Sequence, residues 1–382
     1  MPGFEIIDSL EKKEVSNIFE RGKGVLFRHG FENIRNNSFK VEKFEKNFSN
    51  KFGSKYCLAV TSGTAALRVA LAAKKIGPGD EVITQSFTFV ATVEAIIESG
   101  AKPICTEIDE TLNMCANDLK KKISKRTKAV IVVHMLGTPA RLDLIKKICD
   151  QNKIILIEDT AWGIGAKFKD KYLGTIGDMG TFSFDFAKTI TTGEGGMICF
   201  RNKKEYKSAK AWHDHGHENN PKVPRWEDTR SSGGFNFRMN ELQGAVGIAQ
   251  LKKFRKLYSK QSKNRKKIIE KIKRIKQIKI RDVPKNSTVA PESLIFSFNN
   301  KKLASKFRQK FSKKGYSTKI LPEAITWHFA GKWKHIPELN LKKNHYFQKS
   351  NKILDKCVSI PIFYKMKKNF PDLVYEAIKE TL

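Results

Sequence analysis

The sequence predicts an α/β protein: a mostly parallel, mixed sheet flanked by helices, followed by a smaller α+β body. Three observations carry this. From residue 57 to about residue 200, short apolar runs alternate with amphipathic stretches of about ten to fifteen residues, the signature of βαβ units. Near residue 180 the apolar runs change style (GTFSFDFA, GGMICF), which makes the sheet mixed. Past residue 250 the chain turns strongly basic and apolar runs return at wider spacing. The boundary is therefore placed there: residues 1–250 form a large domain with an N-terminal arm, and 251–382 a small C-terminal domain. A length of 382 residues suits two domains.

The elements follow in order. The first fifty residues read as one or two short helices and a polar arm, RHGFENIRNNSF. CLAVTSGT is a strand that ends in Ser, Gly and Thr. AALRVALAAKKI has helical spacing, and GPGD breaks it. EVITQSF is the next strand and TFVATVEAIIESG the next helix. AKPICTEID is a strand, and a short helix begins at Asn117. AVIVVHML is a buried strand, RLDLIKKICDQN a helix, and IILIEDT a strand. Residues 201–240 read as irregular, with HDHGHENNPKVPRW at their centre. A helix starts at Asn240. Its continuation carries twelve Lys/Arg against one Glu from 251 to 275, yet Leu251, Phe254 and Leu257 keep helical spacing, so a solvated face is expected. ESLIFSF, STKILP and SIPIF read as strands of the second body.

Composition bounds the function. The chain has 73 Lys+Arg against 39 Asp+Glu, a net charge of +34. Only 15 of the 73 are Arg and 58 are Lys, spread along the chain. Specific phosphate and base recognition leans on the planar Arg fork, so no nucleic-acid partner is expected. No apolar stretch reaches the ~20 residues of a membrane span, and no secretory signal is seen, so a cytoplasmic protein with no membrane partner is expected. The six Cys (57, 105, 115, 149, 199, 357) form no CxxC or Cys/His metal pattern and read as buried free thiols; no metal site is expected.

Four places carry chemistry. Ser62, Gly63 and Thr64 lie between a strand and a helix, where free N–H groups and the dipole suit a phosphate; a plain N-cap accounts for the same residues. Glu158 and Asp159 end an apolar strand, where a carboxylate faces the crevice of a parallel sheet; a structural hydrogen-bonding Asp is the competing reading. Lys188 sits among Phe184, Phe186 and Ile190 ahead of TTGEGG. Partial burial there would lower its pKa and make the amine nucleophilic. Asn236 and Arg238 precede a helix that Asn240 and Gln243 would cap.

Together these motifs resemble one family. The order of a helix start of phosphate type, an aromatic after the next strand, EDxA, S-F-x-x-x-K-x-x-x-x-G-E-G-G and G-x-N-x-R is similar to the DegT/DnrJ/EryC1/StrS sugar aminotransferases, from about residue 10 to 370. These are pyridoxal 5'-phosphate enzymes of the aspartate-aminotransferase fold (fold type I). The resemblance implies that Lys188 binds the cofactor covalently and that Asp159 holds its pyridine nitrogen protonated. Gly63, Thr64 and Ser183 would bind its phosphate, and Phe89 would stack on the ring. Asn236 would reach the phosphate of a neighbouring subunit's cofactor, which implies a homodimer with sites at the interface. Trp162 stands where the family usually has His or Gln; its indole N–H donates but cannot accept. A lysine at 188 implies transamination rather than dehydration, by a ping-pong route with L-glutamate as donor and a keto sugar as acceptor. MPGFEI, FRHGFENIRNN, HDHGHE and WHFAGKWKHIPEL are similar to the branch that aminates the 8-oxo form of the lipopolysaccharide sugar Kdo. Its carboxylate would need partners, for which Arg28, His215, His217 and His328 are candidates. A nucleotide-linked 4-keto-6-deoxy sugar is the alternative acceptor. A lysine-rich, non-catalytic binding protein on this fold is a distant third reading.

Overall fold

A computed structural model describes residues 3–220, 222–341 and 346–382. Met1 and Pro2 of the MPGFEI stretch, and Pro221 of the His-rich stretch, lie outside them. Two helices come first, α1 (Ser9–Glu20) and α2 (Lys40–Phe52). Asp8 caps α1 in a box with Glu11. Phe44, Phe48 and Phe52 recur every fourth residue along α2 and are all buried; Phe48 packs edge-on to Phe182 at 5.0 Å.

The alternating segment then gives β1 (Tyr56–Val60), α3 (Gly63–Ala73), β2 (Glu81–Gln85), α4 (Val90–Glu98), β3 (Lys102–Thr106), α5 (Ala116–Lys122), β4 (Thr127–Val133), α6 (Leu142–Gln151) and β5 (Ile155–Asp159). Two-residue strands β6 (Lys167–Phe168) and β7 (Lys171–Tyr172) precede β8 (Met179–Ser183) and β9 (Gly196–Phe200). Seven strands form one sheet in the order β1-β9-β8-β5-β4-β2-β3. β3, β2, β4, β5 and β8 are mutually parallel, and β9 runs against both β8 and β1. The sheet is therefore mixed, as the change of style near residue 180 implies. The carboxyl ends of β1, β2, β5 and β8 consequently share one edge, where parallel sheets carry their sites.

Residues 201–240 are less irregular than the sequence suggests, because α7 (Lys203–Trp212) occupies their start, capped by Asn202. Only Ala209 and Ala211 of α7 are buried, so its helical period is faint in the hydropathy. The long α8 (Glu241–Ile272) follows, capped by Asn240 with Gln243. It runs unbroken through residue 250. Its early part packs on α1 and α2; its last turns bury Ile268 and Ile272 among Leu294, Phe296 and Phe307 of the following body. That body holds β10 (Ile278–Ile280), β11 (Ser287–Thr288), β12 (Ser293–Phe298), α9 (Lys301–Lys313), α10 (Ile325–His328), α11 (Gln348–Leu354), β13 (Cys357–Pro361) and α12 (Phe370–Lys379). β10-β12-β13 form its antiparallel sheet, while β11 joins β6.

STKILP is not a strand. Lys319 N donates to Ser359 O and Ser359 N to Leu321 O, but Pro322 has no N–H to extend a ladder along β13. The cysteines are free; all are buried except Cys115, which is half-buried. Among the described residues no helix is long and apolar enough to cross a membrane, and no cluster of metal-ligating side chains occurs.

Candidate active site

A cavity of about 320 Å³ opens at the shared strand edge. It is lined by Gly63 and Thr64 after β1, Phe89 after β2, Asp159 and Trp162 after β5, Ser183 and Lys188 after β8, and His328 from the second body. Eight of the twelve residues to which the family resemblance gives a cofactor or substrate role thus meet in one place.

Ser62 caps α3, its Oγ accepting from Ala65 N at 3.0 Å. Helix geometry leaves the N–H groups of Gly63 and Thr64 without an intrahelical acceptor, and the dipole adds partial positive charge. Gly63 is required by its neighbour, since a Cβ there would stand 2.8 Å from Ser183 Cβ. Gly196 is required likewise, because a Cβ would fall 2.2 Å from Ser62 O.

Asp159 is buried. Its Oδ2 accepts from Thr92 Oγ1 at 3.0 Å and its Oδ1 from Ala161 N at 3.1 Å. Burial raises its pKa, with these hydrogen bonds opposing. Among the described residues no cation lies within ion-pair distance of it. Behind it, His134 and Glu158 are fully buried, 3.0 Å apart. Ala140 N donates to His134 Nδ1, so the proton sits on Nε2 and points at Glu158. Glu158 also accepts from the N–H groups of Gly174, Ile176 and Gly177, which pins the turn leading into β8.

Lys188 lies in a loop held by Lys188 N donating to Asp185 O and by Gly3 N donating to Lys188 O. Its Nζ sits 3.2 Å from the Trp162 ring centroid. Burial pushes the amine down to about 8, with Glu292 and Asp185 pulling it back up. Phe89 remains 39% exposed at the cavity and tilts toward His328 at 5.3 Å. His328 Nδ1 donates to Ala324 O, and burial pushes its pKa down to about 4. Backbone bonds from Thr88 N to His328 O and from Ala330 N to Ser86 O tie this segment to the loop after β2.

The remaining four residues do not line the cavity of their own chain. Arg28 is buried in an ion pair with Glu45 at 2.5 Å and also donates to Ala59 O. His217 faces Asp228 at 3.2 Å. His215 and Asn236 are exposed. Residues the sequence reading did not single out also belong here: Thr92 on Asp159, and Glu194 and Asp185 at the cavity wall. Thr92 lies one helical turn from Thr88, and that pairing was its only signal.

The model of the DegT/DnrJ/EryC1/StrS aminotransferase family matches residues 32–379. The chain belongs to this family. It is 40% identical over 212 residues to a GDP-perosamine synthase of Escherichia coli O157:H7, covering 55% of this chain and 57% of that one. It is 38% identical over 224 residues to the spore coat polysaccharide biosynthesis protein SpsC of Bacillus subtilis, covering 56% and 57%. The chain thus spans somewhat over half the length of the curated relatives it matches. Among solved structures, an aminotransferase from Psychrobacter cryohalolentis superposes with a TM-score of 0.86 at 24% identity, over 98% of this chain and 96% of that one. A 3-amino-5-hydroxybenzoic acid synthase gives 0.82 at 24% identity, over 98% and 96%. These two likenesses establish the fold: an aminotransferase α/β architecture.

Proposed function

We propose that this chain is a pyridoxal-phosphate-dependent sugar aminotransferase that takes its amino group from L-glutamate in a ping-pong cycle. The observation that carries the reading is the pairing within one cavity of a desolvated amine, Lys188, with a buried carboxylate, Asp159, neither with an ionic partner among the described residues. A cofactor with an aldehyde and a basic ring nitrogen fits both, and the open N-terminus of α3 beside Ser183 fits its phosphate.

Bound pyridoxal phosphate supplies an electron sink for the carbon that bears the nitrogen. The chain's own residues do the rest. Gly63 and Thr64 N–H groups and Ser183 Oγ anchor the phosphate. Asp159, oriented by Thr92 and Ala161 N, holds a proton at the ring nitrogen; burial strengthens that charge pair. Phe89 covers one side of the cavity and limits water. The Lys188 amine, about a tenth neutral at pH 7 for a pKa near 8, takes and returns the proton of the substrate carbon. Trp162 offers a donor where the family more often has His or Gln.

The acceptor is a keto sugar. Relatives named GDP-perosamine synthase, at 37–40% identity, support a nucleotide-linked sugar. The Kdo reading keeps only His328 in the cavity of a single chain; Arg28 and His217 already face Glu45 and Asp228. We therefore favour a nucleotide-linked 4-keto-6-deoxy sugar over 8-oxo-Kdo. Asn236, exposed and outside its own cavity, is placed as a residue serving a second copy would be, which supports a homodimer. The test is amination of each sugar with L-glutamate. Turnover of the nucleotide sugar alone supports this choice, turnover of 8-oxo-Kdo alone reverses it, and turnover of neither removes the sugar reading.

A further inference from the structure

Two lysine ammonium groups share one indole. Lys188 Nζ is 3.2 Å from the Trp162 ring centroid, and Lys319 Nζ is 4.7 Å from the same centroid. Lys319 comes from the segment after α9 and does not line the cavity. Its Nζ lies 3.3 Å from Glu292 Oε1. Glu292 is 1% exposed, and its Oε2 accepts from Thr189 Oγ1, one residue beyond Lys188.

An indole face attracts a cation, but two full charges on one ring repel each other in a poorly hydrated site. The two lysines are not equivalent. Lys319 has a buried carboxylate within ion-pair distance, and Lys188 has none among the described residues. We infer that Lys319, seated on Trp162 with its Nζ beside the buried Glu292 carboxylate, is a positioning residue whose charge disfavours the ammonium form of Lys188. The inference rests on Lys188 being the cofactor-binding amine.

The other groups around Lys188 push the opposite way or not at all. Asp185 on its own loop, Asp159 at the end of β5 and Glu292 itself all favour the ammonium. His328 from α10 is neutral at pH 7. Of these charged neighbours only Lys319 favours the free amine, acting alongside burial. Trp162 thereby gains a role that the His or Gln usual at its position would not fill in the same way: a face that two cations compete for.

The test reads the Lys188 amine directly in the full-length, cofactor-free protein. Trace acetylation with acetic anhydride from about pH 6 to about pH 10, quantified on the Lys188 peptide by mass spectrometry, gives its titration midpoint. The wild type is expected near 8. Lys319→Met and Lys319→Gln should each raise the midpoint by about one pH unit, while Lys319→Arg keeps it. A midpoint unmoved in whichever neutral variant folds, or a loss of thermal stability without a shift, overturns the inference. Capture of pyridoxal phosphate at Lys188, trapped with borohydride in parallel, separates the two levels. A shifted midpoint without capture contradicts the functional reading alone; capture with an unmoved midpoint contradicts only the role of Lys319.

Discussion

Lys188 and Asp159 owe their chemistry to what they lack. Each is enclosed, and neither has an ionic partner among the described residues, so burial moves both pKa values toward the neutral forms. That leaves one side chain ready to act as a nucleophile and base, and the other ready for a cation the protein does not itself provide. Replacing Lys188 by Ala removes the proton carrier, and turnover should fall by roughly 10²–10⁴-fold while the far-UV spectrum is kept. Wild-type turnover in that variant would remove Lys188 from the mechanism. Asp159→Asn keeps the shape and loses the charge. A drop of about 10²–10³-fold is expected, with cofactor dissociating faster on dilution. Unchanged rates would mean that Asp159 serves Thr92 and the chain turn only.

At the scale of elements, the site depends on strands that stop in register and on loops held from behind. β1, β2, β5 and β8 end along one edge, and the turn from β5 toward β8 is pinned by Glu158. Gly63→Ala would drive a Cβ to 2.8 Å from Ser183 Cβ, so the helix start must shift away from the anchoring hydroxyl. Cofactor retention should weaken in equilibrium dialysis, and a wild-type affinity would show that this helix start is not the phosphate site. A second element responds to acid. Asp214 is desolvated, which raises its pKa, but Arg225, His29 and Arg238 hold it down to about 2. A depressed folded pKa stabilises the 213–238 loop above the unfolded carboxylate range near pH 4, and that gain is lost as pH falls toward 2. Amide exchange in this loop should accelerate over that window in the wild type and be flat there in Asp214→Asn.

Much of this was legible in the sequence. The alternation of CLAV, EVITQ, AVIVV and IILIED with amphipathic stretches fixes the parallel sheet, because period-2 and period-3.6 patterns are hard to confuse over that length. Asp159, Lys188 and Gly63 were legible because strand ends and glycine turns are local features. Lys319 and Glu292 were not. Lys319 reaches Trp162 from the second body, with Glu292 beside it, and nothing in STKILP distinguishes a residue that meets residue 162 in space from a solvated lysine. That Arg28 and His217 lie outside the cavity of their own chain was hidden for the same reason: the carboxylates that engage them, Glu45 and Asp228, are known only once the chain is folded.

At the scale of the whole molecule, the exposed Asn236 and the exposed Phe31, Ile34 and Trp226 make the isolated chain look incomplete. A homodimer that lends Asn236 across its interface makes a sharp prediction. Lys188→Ala and Asn236→Ala, each impaired alone, should recover about a quarter of wild-type activity when unfolded together and refolded as mixed dimers, since one site in half of the dimers is then intact. No recovery would place Asn236 outside the neighbour's site. The central claim, that Lys188 and Asp159 together make a transaminating cofactor site, is tested most directly by the visible spectrum of the purified protein. After loading with pyridoxal phosphate and removal of the excess, a cofactor band should be present, trappable by borohydride on Lys188, and it should bleach on addition of L-glutamate and return with a keto-sugar acceptor. A protein that acquires no band, or whose band glutamate leaves untouched, would contradict the account.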